Sequence, residues 1–276
     1  MSIPYKNITI VGLGLMGGAF AKALSTNDVS VFGVNRSEKA VNFAKDKGWI
    51  YDGSASVSDS PKDADLVLLC GATWTLPSVI EEVCAHVGDS CSIMDISSVK
   101  KGVLEAFEKI KSKQTLLSCH PMVGSEKSGI EYSDTLDFSG KTCLMIEDYS
   151  TLDTGKLMLQ LGFIVDTIKA SKHDELLAVS SHFPYLIACL ASKSLQNKNL
   201  SADTLMSIIG SGFLSTSRVS ESPVHWGVDM CSENKHEIKL LLTNLKKDIS
   251  SLESALDSEE ELTSFLDSIQ KFRSSL

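Results

Sequence analysis

The feature of this sequence that most constrains its fold is a glycine pattern close to the N-terminus. The apolar segment NITIV is followed by Gly12-Leu13-Gly14-Leu15-Met16-Gly17, and the next segment, GAFAKALS, has the composition of a helix. Between a strand and a helix, the first glycine permits a tight turn, the second lets a pyrophosphate approach the backbone, and the third lets the helix pack closely on the strand. The alternative is that the glycines serve only a turn. We predict a Rossmann-type dinucleotide-binding domain in which residues 12–17 contact the cofactor.

The rhythm of apolar residues divides the chain into two halves. Up to about residue 168, short apolar runs alternate with amphipathic stretches, which indicates a mainly parallel sheet covered on both faces. From about residue 172 onward the pattern is helical, beginning with one long helix over residues 173–196 that we expect to bend at Pro184. The predicted fold is an α/β Rossmann domain over residues 1–168, followed by an all-helical substrate and dimerisation domain over residues 169–276. The predicted strands lie at residues 8–11, 29–34, 66–70, 91–96, 115–118, 142–146 and 163–168.

Composition favours a metabolic enzyme over other classes. The chain has 276 residues, 43% of them hydrophobic, and a formal charge of −9, which argues against a nucleic-acid partner. Its seven cysteines have neither metal-site spacing nor an even count, so we expect no metal and no disulfide framework. The sequence shows no signal peptide and no apolar run of about 18 residues. We expect a cytoplasmic protein that binds a small molecule and does not contact a membrane.

The end of the second predicted strand bears on the choice of cofactor. An NAD enzyme presents an acidic residue to the ribose 2′-hydroxyl at this point, whereas this chain has Asn35-Arg36-Ser37. All three side chains can donate hydrogen bonds to a 2′-phosphate, and Arg36 is one of only three arginines in the chain. The alternative is an arginine that only faces solvent. We predict a preference for NADP, with NAD as a possible cofactor.

Two later segments fall at the carboxyl ends of predicted strands, where open α/β sheets place their ligands. One is MDISSVK, which contains Asp95 and Ser98. The other is CHPMVGSEKSG, in which His120 follows the apolar strand TLLSC directly. A neutral imidazole at such a position can accept a proton from a substrate hydroxyl while hydride leaves the same carbon. A structural histidine is the alternative, and we expect catalysis by His120.

The sequence resembles the prephenate/arogenate dehydrogenase family of tyrosine biosynthesis. The resemblance is carried by GLGLMGG, the two segments above, SHFP and GFLSTSRVSESPVHW, which occur in the same order and cover essentially the whole chain. That family joins a Rossmann domain to a helical dimerisation domain, so the resemblance implies a homodimer. It implies oxidative decarboxylation of prephenate or arogenate, in which hydride leaves the ring carbon that bears the hydroxyl and CO2 is lost.

The resemblance also implies roles for individual residues. His120 would accept the hydrogen bond of the ring hydroxyl, Ser98 would contact the same hydroxyl and orient His120, and Arg218 would bind a substrate carboxylate. The substrate cavity would be lined by Ser125, Glu126, His182 and Tyr185. The cofactor groove would be lined by Cys70, Gly71, Ala72 and Asp95. The remaining histidines, His173 among them, are interpreted as surface or packing residues, and Trp226 as core.

One departure from the family pattern bears on which substrate we expect. Many members specific for prephenate have a histidine where this chain has Tyr185, which leaves arogenate at least as strong a candidate. Two other classes remain open at this point. One is a different dehydrogenase of similar architecture, of the 3-hydroxyacid or pyrroline-5-carboxylate reductase type. The other is a non-catalytic NADP-binding sensor, which would not need His120 and Ser98 on neighbouring strand ends.

Overall fold

The computed structural model describes residues 3–125 and 127–276. Within these residues the N-terminal part forms one eight-stranded sheet. The strands are β1 (Asn7–Val11), β2 (Ser30–Val34), β3 (Asp52–Ser54), β4 (Leu66–Leu69), β5 (Ser92–Asp95), β6 (Thr115–Pro121), β7 (Thr142–Ile146) and β8 (Ile164–Ile168).

The strand order is β3-β2-β1-β4-β5-β6-β7-β8, and the first six strands of that order are mutually parallel. β7 runs antiparallel to β6, and β8 is parallel to β7. The mainly parallel sheet is therefore confirmed. The sequence pattern missed β3, because this strand is only three residues long and consists of Asp, Gly and Ser. The order reverses between β1 and β4, and this switch point is where such sheets bind ligands.

Side chains alternate between the two faces of the central strands, and each face is covered. In β4, Leu66 and Leu68 belong to one apolar core and Val67 and Leu69 to another, and all four are 0–1% exposed. Both faces of a parallel sheet need such cover, which explains the continuous apolar runs. The helices of this part are α1 (Leu15–Ser25), α2 (Glu38–Asp46), α3 (Leu76–His86), α4 (Lys101–Lys109) and α5 (Leu152–Gln160).

The residues after β8 are helical, as predicted. The helices are α6 (Ala170–Leu177), α7 (Phe183–Gln196), α8 (Ala202–Ile208), α9 (Ser211–Ser217), α10 (Val224–Glu233), α11 (Lys235–Ala255) and α12 (Glu259–Ser274). The described chain separates into two compact units, the first ending at Asn234 and the second being Lys235–Leu276. The second unit consists of α11 and α12. The predicted boundary between residues 168 and 169 stays a prediction.

α6 and α7 form one continuous helical run, with an irregular turn between them. The turn is a π-helical segment, Ala178–His182, in which the Phe183 amide donates to the Ala178 carbonyl. The expected bend at Pro184 stays a prediction. The irregular turn precedes the proline, which occupies the first turn of α7 and needs no amide donor there. The run Ala170–Gln196 is long and apolar enough to cross a membrane by length and composition alone. It also contains His173 and His182, both fully buried within the protein.

Candidate active site

The glycine loop has the geometry that a dinucleotide requires. Gly12 adopts a φ of +100°, and a Cβ on it would lie 2.8 Å from the Gly71 amide nitrogen. A Cβ on Gly17 would lie 1.9 Å from the Gly12 carbonyl oxygen, whereas a Cβ on Gly14 would meet nothing within 4 Å. Two glycines are therefore required by the fold, and the third leaves open space beside the N-terminus of α1. The residues present fit a dinucleotide, with residues 12–17 holding its pyrophosphate.

The end of β2 differs in one respect from expectation. The Asn35 Oδ1 atom accepts a hydrogen bond from the Leu13 amide at 3.0 Å, and its Nδ2 lies 3.4 Å from the Ser37 carbonyl oxygen. The Asn35 side chain therefore holds the glycine loop through Oδ1, and its donation to a 2′-phosphate through Nδ2 stays a prediction. Arg36 and Ser37 are exposed beside it. Both remain available to a ligand at this edge.

A cavity of about 620 Å³ opens beside the glycine loop. It lies within the unit that ends at Asn234. Most of the predicted site residues line it: Gly14, Leu15, Met16, Cys70, Gly71, Ala72, Ser98, His120, Ser125, His182 and Arg218. The cofactor loop, the ends of β4, β5 and β6, and the helical residues thus share one space.

His120 occupies its place because β6 is longer than its parallel neighbour. β5 ends at Asp95, which pairs with Ser118, and β6 continues for three residues beyond that pair, alongside β7. His120 lies in this extension, is only 9% exposed and lines the cavity. Burial, together with the positive charge of Lys100 and the neighbouring His173 and His182, holds the pKa of His120 well below its usual value. The imidazole is therefore neutral and able to accept a proton.

A second histidine lies directly behind His120. The His173 Nε2 atom is 3.0 Å from Nδ1 of His120, and His173 Nδ1 is 2.7 Å from an Asp174 carboxylate oxygen. His173 is completely buried on α6. It is therefore not a surface residue, and its side chain also contacts His120, because the fold brings α6 against the end of β6. The sequence signal was an adjacent His-Asp pair at the start of an apolar helix.

A buried ion pair lies beneath the same strand ends. The Lys100 ammonium is 2.5 Å from an Asp95 carboxylate oxygen and donates to the Cys119 carbonyl at 2.6 Å, and both charged residues are 0% exposed. Asp95 also accepts hydrogen bonds from the Ser118 hydroxyl and the Ser97 amide. The expectation that Asp95 contacts the cofactor is therefore corrected, since its carboxylate is occupied inside the protein. Its position ties the end of β5 to β6.

The other predicted substrate residues are placed as follows. Ser98 is half-buried and Arg218 is exposed at the cavity wall, and within residues 3–125 and 127–276 Arg218 has no ion-pair partner. Among those residues no hydrogen bond joins Ser98 to His120. Tyr185 packs edge-on against Trp226, which lines the cavity, at a centroid distance of 5.3 Å. Glu126 lies outside the described residues.

His182 is 1% exposed and lines the cavity from the π-helical turn. Its Nδ1 atom is 3.1 Å from the Asn234 side-chain nitrogen, which also donates to the Asp174 backbone carbonyl at 2.8 Å. Burial lowers the pKa of His182 to about 4. This histidine is therefore neutral as well, and its ring is held by Asn234.

Several cavity residues were not predicted. Asp229 on α10 accepts hydrogen bonds from the Thr73 and Trp74 amides, at 3.0 and 3.4 Å, and so fixes the loop after β4. Lys127, His225 and Trp226 also line the cavity, and Trp226 is half-buried where a core residue was expected. Isolated residues such as Asp229 and His225 on a helix, or Lys127 in a loop, give no sequence signal for such placement. Lys127 and Arg218 thus place two cationic side chains at this cavity.

A dinucleotide cradle and a neutral, buried imidazole that share one cavity define an NAD(P)-dependent oxidoreductase. Family models agree with this class. Residues 20–161 match the prephenate dehydrogenase nucleotide-binding domain, and residues 169–271 match the prephenate dehydrogenase dimerization domain. The chain belongs to the prephenate dehydrogenase family.

Individual relatives span most of the chain. A cyclohexadienyl dehydrogenase of Zymomonas mobilis is 25% identical over 93% of this chain and 90% of its own length. A prephenate dehydrogenase of Bacillus subtilis is 26% identical over 92% of this chain and 71% of its own length. The structure resembles that of prephenate dehydrogenase from Aquifex aeolicus in complex with hydroxyphenyl propionate and NAD+, with a TM-score of 0.88, 26% identity, and coverage of 100% of this chain and 99% of that one.

Proposed function

We propose that this chain oxidises and decarboxylates a cyclohexadiene that carries a ring hydroxyl and a ring carboxylate, arogenate or prephenate, with NADP as the preferred cofactor. The observation that carries the proposal is the single cavity in which a neutral His120, the cationic Arg218 and the open side of the glycine loop meet. An acceptor for a hydroxyl proton and a cation for a carboxylate are the two groups that this reaction needs. The product is a 4-hydroxyphenyl compound.

The residues of this chain have distinct tasks in the reaction. His120 accepts the proton of the ring hydroxyl, and Arg218 holds a substrate carboxylate. Ser98 and His182 line the same cavity and orient the ring. Residues 12–17 would hold the dinucleotide, which would supply an acceptor for the hydride on the carbon that bears the hydroxyl. That carbon becomes a ketone, and the ring carboxylate leaves as CO2 because its electron pair makes the ring aromatic. The protein mainly supplies orientation and electrostatics.

The preference for NADP is supported by the exposed Arg36 and Ser37 at the end of β2. A hydrogen bond to a charged group contributes about 1.5–3 kcal/mol, so loss of a contact from Arg36 to a 2′-phosphate corresponds to a factor of about ten or more in affinity. Arg36→Gln should therefore raise KM for NADP about tenfold or more and leave KM for NAD within about twofold. Equal changes for both cofactors would contradict the assignment.

A homodimer is supported by the match to the dimerization domain and by apolar side chains exposed in a single chain. Met206 is 81% exposed, Val224 is 79% exposed and Phe272 is 66% exposed. A dimer interface would cover apolar side chains of this kind. Sedimentation equilibrium should give twice the chain mass of 29.8 kDa.

The seven cysteines are free thiols, which supports a reducing compartment such as the cytoplasm.

The experiment that tests the function combines both substrates with both cofactors, and follows reduced-nicotinamide absorbance. We expect turnover of arogenate with NADP, at least as fast as that of prephenate, because Tyr185 stands in place of the histidine of many prephenate enzymes. Faster turnover of prephenate would keep the reaction and overturn the argument from Tyr185. If neither substrate reacts with either cofactor, the proposed function is wrong.

A further inference from the structure

Behind His120, three side chains form a hydrogen-bonded series that leads away from the cavity. His120 Nδ1 is 3.0 Å from His173 Nε2, and His173 Nδ1 is 2.7 Å from Asp174 Oδ1. Asp174 is fixed in turn, because its two oxygens accept the Lys100 and Lys101 amides, each at 2.9 Å, at the start of α4. His173 is 0% exposed, so its contacts with His120 and Asp174 are shielded from water.

The Asp174 carboxylate at the end of the series determines which ring nitrogens of His173 and His120 carry a proton. An ionised carboxylate only accepts hydrogen bonds, so His173 Nδ1 carries a proton. Burial raises the pKa of Asp174, but the bonds from His173 and the two amides outweigh it, and the net pKa is lowered. Burial lowers the pKa of His173, so its ring is neutral and its Nε2 is an acceptor. His120 must then donate from Nδ1, which leaves Nε2 of a neutral ring without a proton.

We propose that His173 and Asp174 are positioning residues that hold His120 in the tautomer whose Nε2 accepts the substrate's hydroxyl proton. This inference rests on the proposed function. In the reaction the O–H bond breaks, its proton forms an N–H bond at His120 Nε2, and the electron pair of the oxygen forms the carbonyl as hydride leaves the carbon. The resulting imidazolium donates to His173, whose own N–H faces the Asp174 carboxylate. The Asp174 carboxylate thus compensates the positive charge that forms on His120, two side chains away in the hydrogen-bonded series.

The second cavity histidine is held in the opposite tautomer. Asn234 Nδ2 donates to the Asp174 backbone carbonyl, which can only accept, and this contact fixes which end of the amide faces His182. The same nitrogen is 3.1 Å from His182 Nδ1, so that atom accepts and the neutral ring carries its proton on Nε2. The series therefore places an acceptor (His120) and a donor (His182) on the wall of one cavity. A substrate with a hydroxyl to deprotonate and an oxygen to hold needs both.

The direct test is the protonation of the His120 ring in the wild-type protein. Nitrogen-15 chemical shifts of the histidine rings, assigned with the His120→Gln variant, distinguish a protonated from an unprotonated Nε2. We expect His120 to be neutral and protonated on Nδ1, and His182 to be protonated on Nε2. A proton on Nε2 of His120 would overturn the inference. This reading uses no substrate, so it is decided separately from the proposed function, whose failure would appear as absence of turnover.

Two variants test the catalytic consequence. His173→Leu removes the acceptor for His120 Nδ1, and should lower kcat about 100-fold with KM changed less than about threefold, since proton transfer contributes about 10²–10⁴-fold. His173→Gln offers an amide oxygen near the place of Nε2 and should recover at least about tenfold of that loss. His236→Leu, at an exposed histidine, is the matched control. A folded His173→Leu protein with wild-type kcat, or equal defects in both His173 variants, would refute the positioning role.

Discussion

The buried pair of Lys100 and Asp95 gives the prediction with the largest effect on stability. Lys100→Met keeps an unbranched side chain of similar length but removes the ammonium. The Asp95 carboxylate keeps the Ser118 hydroxyl and the Ser97 amide, but loses the cation 2.5 Å away at a site with no exposure. Removal of one partner from a buried pair costs about 3–5 kcal/mol, because the other charge stays buried and uncompensated. The total free energy of unfolding of native proteins is about 5–15 kcal/mol, so this variant would lose a large part of its stability.

Urea denaturation at a fixed protein concentration measures this loss, since the proposed dimerisation would make apparent stability depend on concentration. The control is Lys113→Met, which removes the cation of an exposed pair with Asp89 at 3.0 Å and should change the free energy of unfolding by less than about 1 kcal/mol. The same Lys100 variant should shift the acid limb of kcat/KM to higher pH, because the Lys100 charge lowers the pKa of His120. A cost below about 1 kcal/mol for Lys100→Met would refute the reasoning.

Two glycines should respond differently to alanine, and stability should depend on pH. Gly17→Ala places a Cβ 1.9 Å from the Gly12 carbonyl oxygen and should lower the melting temperature measured by calorimetry. A Cβ in Gly14→Ala meets no protein atom within 4 Å, so this variant should fold normally. Cofactor titration of Gly14→Ala should show binding weakened about tenfold or more. Burial lowers the pKa of His182 to about 4 from 6.5, so as the pH falls the unfolded chain takes up this proton first. The contribution of His182 to the free energy of unfolding should therefore be fully present above about pH 6.5 and be lost as the pH drops toward 4. His182→Gln should flatten this decline in urea midpoints and His236→Gln should not, and equal slopes in all three proteins would contradict the assignment.

Local pattern was sufficient to predict the parts of the molecule that local chemistry determines. The glycine loop was predictable because a turn, a ligand approach and a helix packing each require glycine at one place, and Gly12 and Gly17 show those restrictions. His120 was predictable because an apolar strand that ends in histidine puts that residue at the ligand edge of a parallel sheet. The order of strand and helix predicted the mainly parallel sheet in the same way.

Long-range packing determined what the sequence did not reveal. His173 lies on a helix 53 residues beyond His120, and only the docking of α6 against β6 makes them partners. Asp95 was expected at the cofactor, yet its burial with Lys100 depends on strand pairing that no single segment records. Asn35 was predicted only to donate to a phosphate, and its Oδ1 also accepts a hydrogen bond from the Leu13 amide on a neighbouring loop.

The most direct test of the central claim measures CO2 release and nicotinamide reduction together, in the wild-type protein and in His120→Asn, with arogenate or prephenate as substrate. If one cavity residue accepts the hydroxyl proton while the ring loses its carboxylate, the wild type should release one CO2 for each reduced cofactor. His120→Asn should slow both processes by the same factor, about 100-fold or more. Reduction without CO2 release, or a His120→Asn protein as active as the wild type, would contradict the account.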